Sequence, residues 1–254
     1  MSRSSDLCLT RTGPVAHIEM RREPPGYIDL DFIRRLADQL EALDADDDCR
    51  TIVLSSAGKT FCAGADFGGV TQGMPDPGPF YEQAMRLFRT RKPIVAAVQG
   101  AAIGAGLGLA VVADFRVLGP AARLSANFNR LGIHPGFGLT LTLPRLIGEQ
   151  QAALLFFSGR RIDGAEAQRI GLADELVADA EVLARALALA AEIAESSPSA
   201  VESTRASLRL GLAERIAEVN RRERDIQMGQ MCSADFREGV AAMAARRPAN
   251  FTRT

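Results

Sequence analysis

Gln99-Gly100-Ala101-Ala102-Ile103-Gly104-Ala105-Gly106-Leu107-Gly108 follows the apolar run Pro93-Ile94-Val95-Ala96-Ala97-Val98. The apolar run reads as a buried strand, and the small-residue stretch after it as a turn into a helix. The first N–H groups of a helix have no intrahelical acceptor, and small side chains let a ligand come close to them. Phe61-Cys62-Ala63-Gly64-Ala65-Asp66-Phe67 has the same character after the strand Thr51-Ile52-Val53-Leu54-Ser55, so it too is expected to open a helix. Gly104-x-Gly106-x-Gly108 is out of step with a dinucleotide fingerprint, because its third glycine comes one residue early and mid-chain.

Outward from these segments, strand and helix signals alternate. Val15-Ala16-His17-Ile18-Glu19-Met20 alternates as a half-buried strand does, and Glu23-Pro24-Pro25-Gly26 interrupts regular structure. Phe32, Ile33, Leu36, Leu40 and Leu43 then recur at helical spacing behind a cap at Asp29 or Asp31, and the acidic run 44–48 reads as a solvated turn. A helix is expected over 80–89, while the Gly- and Pro-rich stretch 66–79 reads as an irregular lid loop. Alternating strands and helices imply an α/β fold with a largely parallel sheet. From residue 149 onward the pattern is helical, over 182–194, 200–227 and 233–245. The expected organisation is an α/β core over 1–195 with a helical region over 196–254.

Composition narrows the function classes. With 47% hydrophobic and 24% charged residues over 254 positions, the chain has the balance of a soluble globule. Thirty Lys+Arg against 31 Asp+Glu give a net charge of -1, so no global field draws the chain to nucleic acid or an anionic membrane. Cys8, Cys49, Cys62 and Cys232 form no C-x-x-C pair, and His17 and His134 are far apart, so no metal site is expected. The first twelve residues lack the apolar run of a signal peptide, and the stretch 94–112 is interrupted by Gln99 and glycines and closed by Asp114. A cytoplasmic protein is expected.

Six segments in order resemble the enoyl-CoA hydratase/isomerase, or crotonase, superfamily. They are Gly58-x-x-Phe61-Cys62-Ala63-Gly64-Ala65-Asp66; 92–100 with Gly104-Ala105-Gly106 and Asp114; Leu131-Gly132-Ile133-His134-Pro135-Gly136-Phe137-Gly138; Ser158-Gly159-Arg160-Arg161-Ile162; 165–173; and 233–240. The resemblance covers almost the whole chain. It implies a crotonase-like core of repeated ββα turns wound as a spiral, with a C-terminal helical region that trimerises. The implied partners are an acyl-CoA substrate and further copies of the chain, as a homotrimer or a dimer of trimers, and the implied setting is fatty acid metabolism. No permanently bound cofactor is implied, coenzyme A entering as part of the substrate.

The resemblance also assigns roles. The N–H groups of Ala65 and Ala105 would form an oxyanion hole for a thioester enolate. Ala63, Gly64, Ala65, Asp66, Gly104 and Gly106 would line the coenzyme A side, with Asp66 more naturally a cap of the next helix. The two glutamates of a hydratase would fall at Gly108 and Phe128, and the aspartate of a dienoyl-CoA isomerase at Gly136; none of these residues moves a proton. Asn127, Asn129, Ser125, His134, Tyr27, Tyr81 and Glu82 are the nearby candidates for a replacement, His134 first among them. His17 reads as a strand residue, packed or exposed, and Lys92, Arg86, Arg89 and Arg91 as cations that could meet coenzyme A phosphates, although a solvated helix face explains most of them. Hydration, isomerisation, decarboxylation, thioester hydrolysis and a catalytically silent acyl-CoA-binding subunit all stay open.

Overall fold

A long strand, a short strand and a helix recur along the first half of the chain. The computed structural model describes residues 6–66 and 76–253. It begins with β1 (Leu7–Thr12), β2 (Val15–Met20), β3 (Tyr27–Ile28) and α1 (Leu30–Asp44). Next come β4 (Thr51–Ser56), β5 (Gly64–Ala65) and α2 (Gly78–Arg86), then β6 (Ile94–Val98), β7 (Ala101–Ile103) and α3 (Ala105–Val112). After β8 (Phe115–Leu118) and β9 (Arg123–Ser125), a 3-10 turn over Asn127–Leu131 leads into α4 (Leu139–Ile147) and α5 (Glu149–Ser158). The chain continues through β10 (Ile162–Asp163), α6 (Gly164–Arg169), β11 (Glu175–Leu176), α7 (Val182–Ala194), α8 (Pro198–Leu208), α9 (Leu212–Met231) and α10 (Ala234–Ala244).

The long strands form a six-stranded sheet in the order β1-β2-β4-β6-β8-β11, parallel except for the β1/β2 pair. The short strands form a second layer, β3-β5 and β7-β9-β10, joined by a bridge between Cys62 and Ala102. Each turn of chain thus adds one strand to each layer before a helix, the ββα spiral the resemblance implies.

Alternation along each strand decides which core it feeds. Ile52 and Leu54 of β4 face the main core, whereas Val53 faces the opposite side with Val95, Ala97 and Val117. That second face is covered by α7, whose Val182, Ala186, Ala190 and Ala194 recur every four residues; three of the four are alanines, which lets the helix lie close to the sheet. The helix α1 starts where Asp29 accepts a hydrogen bond from the Phe32 N–H at 2.8 Å.

Several sequence expectations need correction. The Phe61–Asp66 segment opens no helix: it forms β5, and the next helix begins at Gly78, where Asp76 rather than Asp66 accepts the Gly78 N–H at 2.7 Å. The expected lid loop is therefore shorter at its end, because Pro77, Gly78 and Pro79 make the first turn of α2; its residues 67–75, Phe67 among them, lie outside the described residues. The helix expected over 200–227 is two, α8 and α9, divided at Gly211 with φ 68°. The C-terminal helices pack on the core of their own chain: Leu212, Ile216, Met231 and Phe236 join the main cluster, and Arg205 of α8 pairs with Asp114 at 2.9 Å. No helix among the described residues is long and apolar enough to cross a membrane.

Candidate active site

The two glycine-rich segments meet. Cys62 donates its N–H to Ala101 at 2.9 Å and accepts from the Ile103 N–H at 3.0 Å, so the strand leading to β5 lies along β7. At Gly64, with φ 125°, the chain turns toward β3, and the Asp66 N–H donates to Ile28 at 2.8 Å. Successive N–H groups of an extended chain point to opposite sides, so that of Ala65 faces away from β3; α3 packs against β5.

Gly104 starts α3 in a conformation (φ 56°, ψ -116°) that other residues avoid. Its N–H donates to Ser125 at 2.9 Å, and its carbonyl accepts the first intrahelical bond, from Gly108 at 3.1 Å. The N–H groups of Ala105, Gly106 and Leu107 therefore have no acceptor within the helix, and Gly104 has no side chain to cap them. The helix dipole adds a positive field at the same place. A Cβ on Gly106 would lie 2.2 Å from the Cys62 carbonyl oxygen, and one on Gly64 would lie 3.3 Å from that of Ile103. Only glycine at position 106 lets the start of α3 come this close to the strand carrying Ala63, Gly64 and Ala65.

Aromatic residues surround this junction. Phe128 is buried, with its ring tip 3.8 Å from where a Gly104 Cβ would be, and the Asn127 Oδ1 lies 3.3 Å from that point. On the next turn of α3, Gly108 faces Phe137, whose Cγ would be 2.5 Å from an added Cβ. Gly136 likewise faces the Tyr81 hydroxyl, 2.1 Å from where its Cβ would be. Tyr81 donates to Gln227 at 2.8 Å, and burial pushes the phenol pKa well up, so it stays protonated. Cys62 also borders the site, but burial pushes its thiol to about 12, which removes the thiolate a nucleophile needs.

A family model described as enoyl-CoA hydratase/isomerase matches residues 10–254. The chain belongs to the enoyl-CoA hydratase/isomerase family. A protein named "Probable enoyl-CoA hydratase" from Mycobacterium tuberculosis is 43% identical over 177 residues, 67% of this chain and 68% of the relative. Another of that name from Rhizobium meliloti is 34% identical over 87% of both chains. The crystal structure of an enoyl-CoA hydratase/isomerase from Pseudoalteromonas atlantica superposes with a TM-score of 0.87 at 29% identity, over 98% of this chain and all of that one.

Among candidates in this enoyl-CoA hydratase/isomerase chain, several have other employment. His134 donates its backbone N–H to Gln230 at 2.5 Å, accepts at its carbonyl from Gln227 at 2.6 Å and places ring Nδ1 2.7 Å from the Pro135 carbonyl oxygen. Its hydrogen bonds are thus with its own turn and α9. Ser125 donates to Gly159 at 3.1 Å. Tyr27 is exposed on β3 beside Gly64, Asn129 is partly exposed, and Glu82 is exposed on α2. His17 packs on β2 against the Ser55 hydroxyl at 2.7 Å, with burial lowering its pKa. The Lys92 ammonium is buried on the carbonyls of Leu43 and Asp46, and Arg86 is held by Asp38 and Glu41, so neither is a free phosphate ligand.

Sequence reasoning missed Phe137 and the polar face of α9. Glu223 is buried and accepts from the N–H groups of Gly138 (2.7 Å) and Thr140 (2.9 Å), the Thr140 hydroxyl (2.6 Å) and Asn220 (3.2 Å). With Gln227 and Gln230 it fixes the 134–140 turn that carries Phe137. A phenylalanine set between two glycines, Gly136 and Gly138, was the available signal.

Proposed function

We propose that this chain binds an acyl-CoA thioester and stabilises its enolate with the N–H groups of Ala65 and Ala105, in chemistry that does not use a hydratase glutamate pair. The single observation that carries this reading is the close contact between Cys62–Ala65 and the start of α3, whose first N–H groups have no acceptor within the helix. A thioester oxygen between the two N–H groups would gain two fixed donors and the field of the helix, in surroundings kept poor in water by Phe128. Ala63, Gly64, Asp66, Gly104 and Gly106 would flank the coenzyme A portion with backbone. Gly108 and Phe128, where the resemblance puts glutamates, carry no titratable group, so decarboxylation, which forms an enolate without a base, fits at least as well as hydration, and proton shift and thioester cleavage stay open.

Ala105→Pro tests the reading, since proline is accepted at the first position of a helix and puts a ring carbon in place of the N–H. Loss of one such donor is expected to lower turnover about 10²–10³-fold, with crotonyl-CoA binding by calorimetry largely kept. The readouts are crotonyl-CoA absorbance for its double bond and free thiol for cleavage, with released carbon dioxide followed on a malonyl-type thioester. Full activity in a folded Ala105→Pro protein rules out the oxyanion role. A second reading, a catalytically silent acyl-CoA-binding subunit, is favoured by the filling of the Gly108 side by Phe137; tight binding with no turnover of any thioester supports it.

Self-association as a trimer or dimer of trimers belongs to the same proposal. Phe157 on α5 and Leu208 and Leu210 at the end of α8 are 78%, 71% and 87% exposed, which suits burial against further copies. Sedimentation equilibrium at monomer mass rejects it.

A further inference from the structure

Position 108 lies one turn beyond Ala105 on α3, and the fold leaves no room there for any side chain. A Cβ on Gly108 would lie 2.5 Å from Cγ of Phe137, 2.6 Å from its Cδ1 and 2.8 Å from its Cβ. Two of these are the root atoms of the ring, so spinning the ring about its axis gives no relief. Residue 137 itself must move.

Its backbone is held from several sides. Phe137 and Gly138 both have positive φ, 66° and 71°, a pair of left-handed residues that aims the side chain at α3. The Gly138 N–H is bound to buried Glu223 at 2.7 Å, and a Cβ at 138 would be 2.4 Å from Cγ2 of Ile216, so α9 lies directly behind the turn. The ring is fully buried and packs edge-on against Phe80 and Phe88, each centroid 6.2 Å away. A phenylalanine accepts a left-handed backbone at a cost, which the surrounding contacts must offset.

We infer that Phe137 is a specificity-determining residue, which fills the space beside α3 that a proton-carrying side chain at position 108 would need and so sets the site against adding water to the acyl chain. The inference rests on the reading of Ala65 and Ala105 as the thioester site. Phe128 acts in the same sense on the Gly104 side, so the start of α3 is flanked by two aromatic rings. The substrates that suit it are thioesters whose reaction needs an enolate but no water held by a carboxylate at position 108.

The test is a mutant cycle on the full chain: wild type, Gly108→Glu, Phe137→Gly and the double variant. Each is followed by thermal melting, by crotonyl-CoA calorimetry and by hydration of crotonyl-CoA, in which hydroxyl adds to Cβ and a proton to Cα. Gly108→Glu alone is expected to melt about 5 °C or more below wild type, as overpacking demands, and to hydrate no faster. The double variant is expected to melt close to Phe137→Gly and to hydrate about tenfold or more faster than Gly108→Glu. Melting losses that simply add overturn the inference, as does Gly108→Glu hydrating as fast as the double. Coupled melting with no gain in hydration overturns the role in reaction choice. If wild type fails to bind crotonyl-CoA, the thioester reading falls instead, and the melting cycle still decides whether Phe137 closes position 108.

Discussion

Gly106 and Gly229 are both helical glycines, yet they answer to opposite constraints. A Cβ on Gly106 would press on the backbone of Cys62, with the carbonyl oxygen at 2.2 Å and its carbon at 2.8 Å, atoms that cannot swing aside. Gly106→Ala is expected to cost about 1–3 kcal/mol and to lower the melting temperature by several degrees. It should also part Ala65 from Ala105, so turnover falls more than thioester binding. A melting temperature equal to wild type would mean that the strand and α3 are not held together as described. Gly229 in α9 has nothing within 4 Å of an added Cβ, so Gly229→Ala is expected to raise stability by about 0.5–1 kcal/mol in urea denaturation. The sequence showed which glycines cluster but not why each is glycine. Gly108 read as a lost glutamate, and only the fold brings Phe137 from a later turn to account for the lost space.

Elements stabilised by their own local pattern were legible, and those defined by their partners were not. The strand β2 and the helix α1 carry a period, and β4 and β6 an apolar run, in a few consecutive residues. β1 is half-exposed to exposed throughout and exists because β2 offers it an edge; β10 and β11 are two residues each and have no pattern to read. The cap of α1 was narrowed to Asp29 or Asp31, and geometry separates them: Asp29 accepts the Phe32 N–H, while Asp31 pairs with Arg34 and Arg35 on the exposed face. Asp29→Ala is therefore expected to cost about 1 kcal/mol and Asp31→Ala no more than a few tenths. Urea midpoints that rank the two the other way round would reassign the cap.

At the scale of the molecule, the candidate site depends on a helix far along the chain. Asn220, Glu223 and Gln227 of α9 recur at three- and four-residue spacing and in isolation look like a solvated face, but all three are buried against the 134–140 turn. Nothing local distinguishes an interior polar stripe from an exposed one, which is why the sequence did not reveal it. Glu223 gives this arrangement a pH signature. Burial raises its pKa against the opposing pull of Thr140, Gly138 and Asn220. The folded chain then keeps the proton above the pH at which the unfolded chain releases it. The resulting stability is full below the ordinary glutamate pKa of about 4.3 and is lost as pH rises through the folded value. Glu223→Gln cannot ionise and also turns amide hydrogens toward the donors of Gly138 and Thr140, leaving one unpaired at a cost of about 1–3 kcal/mol. In urea melts the variant is expected to be less stable than wild type at pH 4, with the gap narrowing toward pH 8. A gap that widens with pH would show instead that the donors hold the carboxylate ionised in the folded chain, and that the turn carrying Phe137 is anchored by a charge.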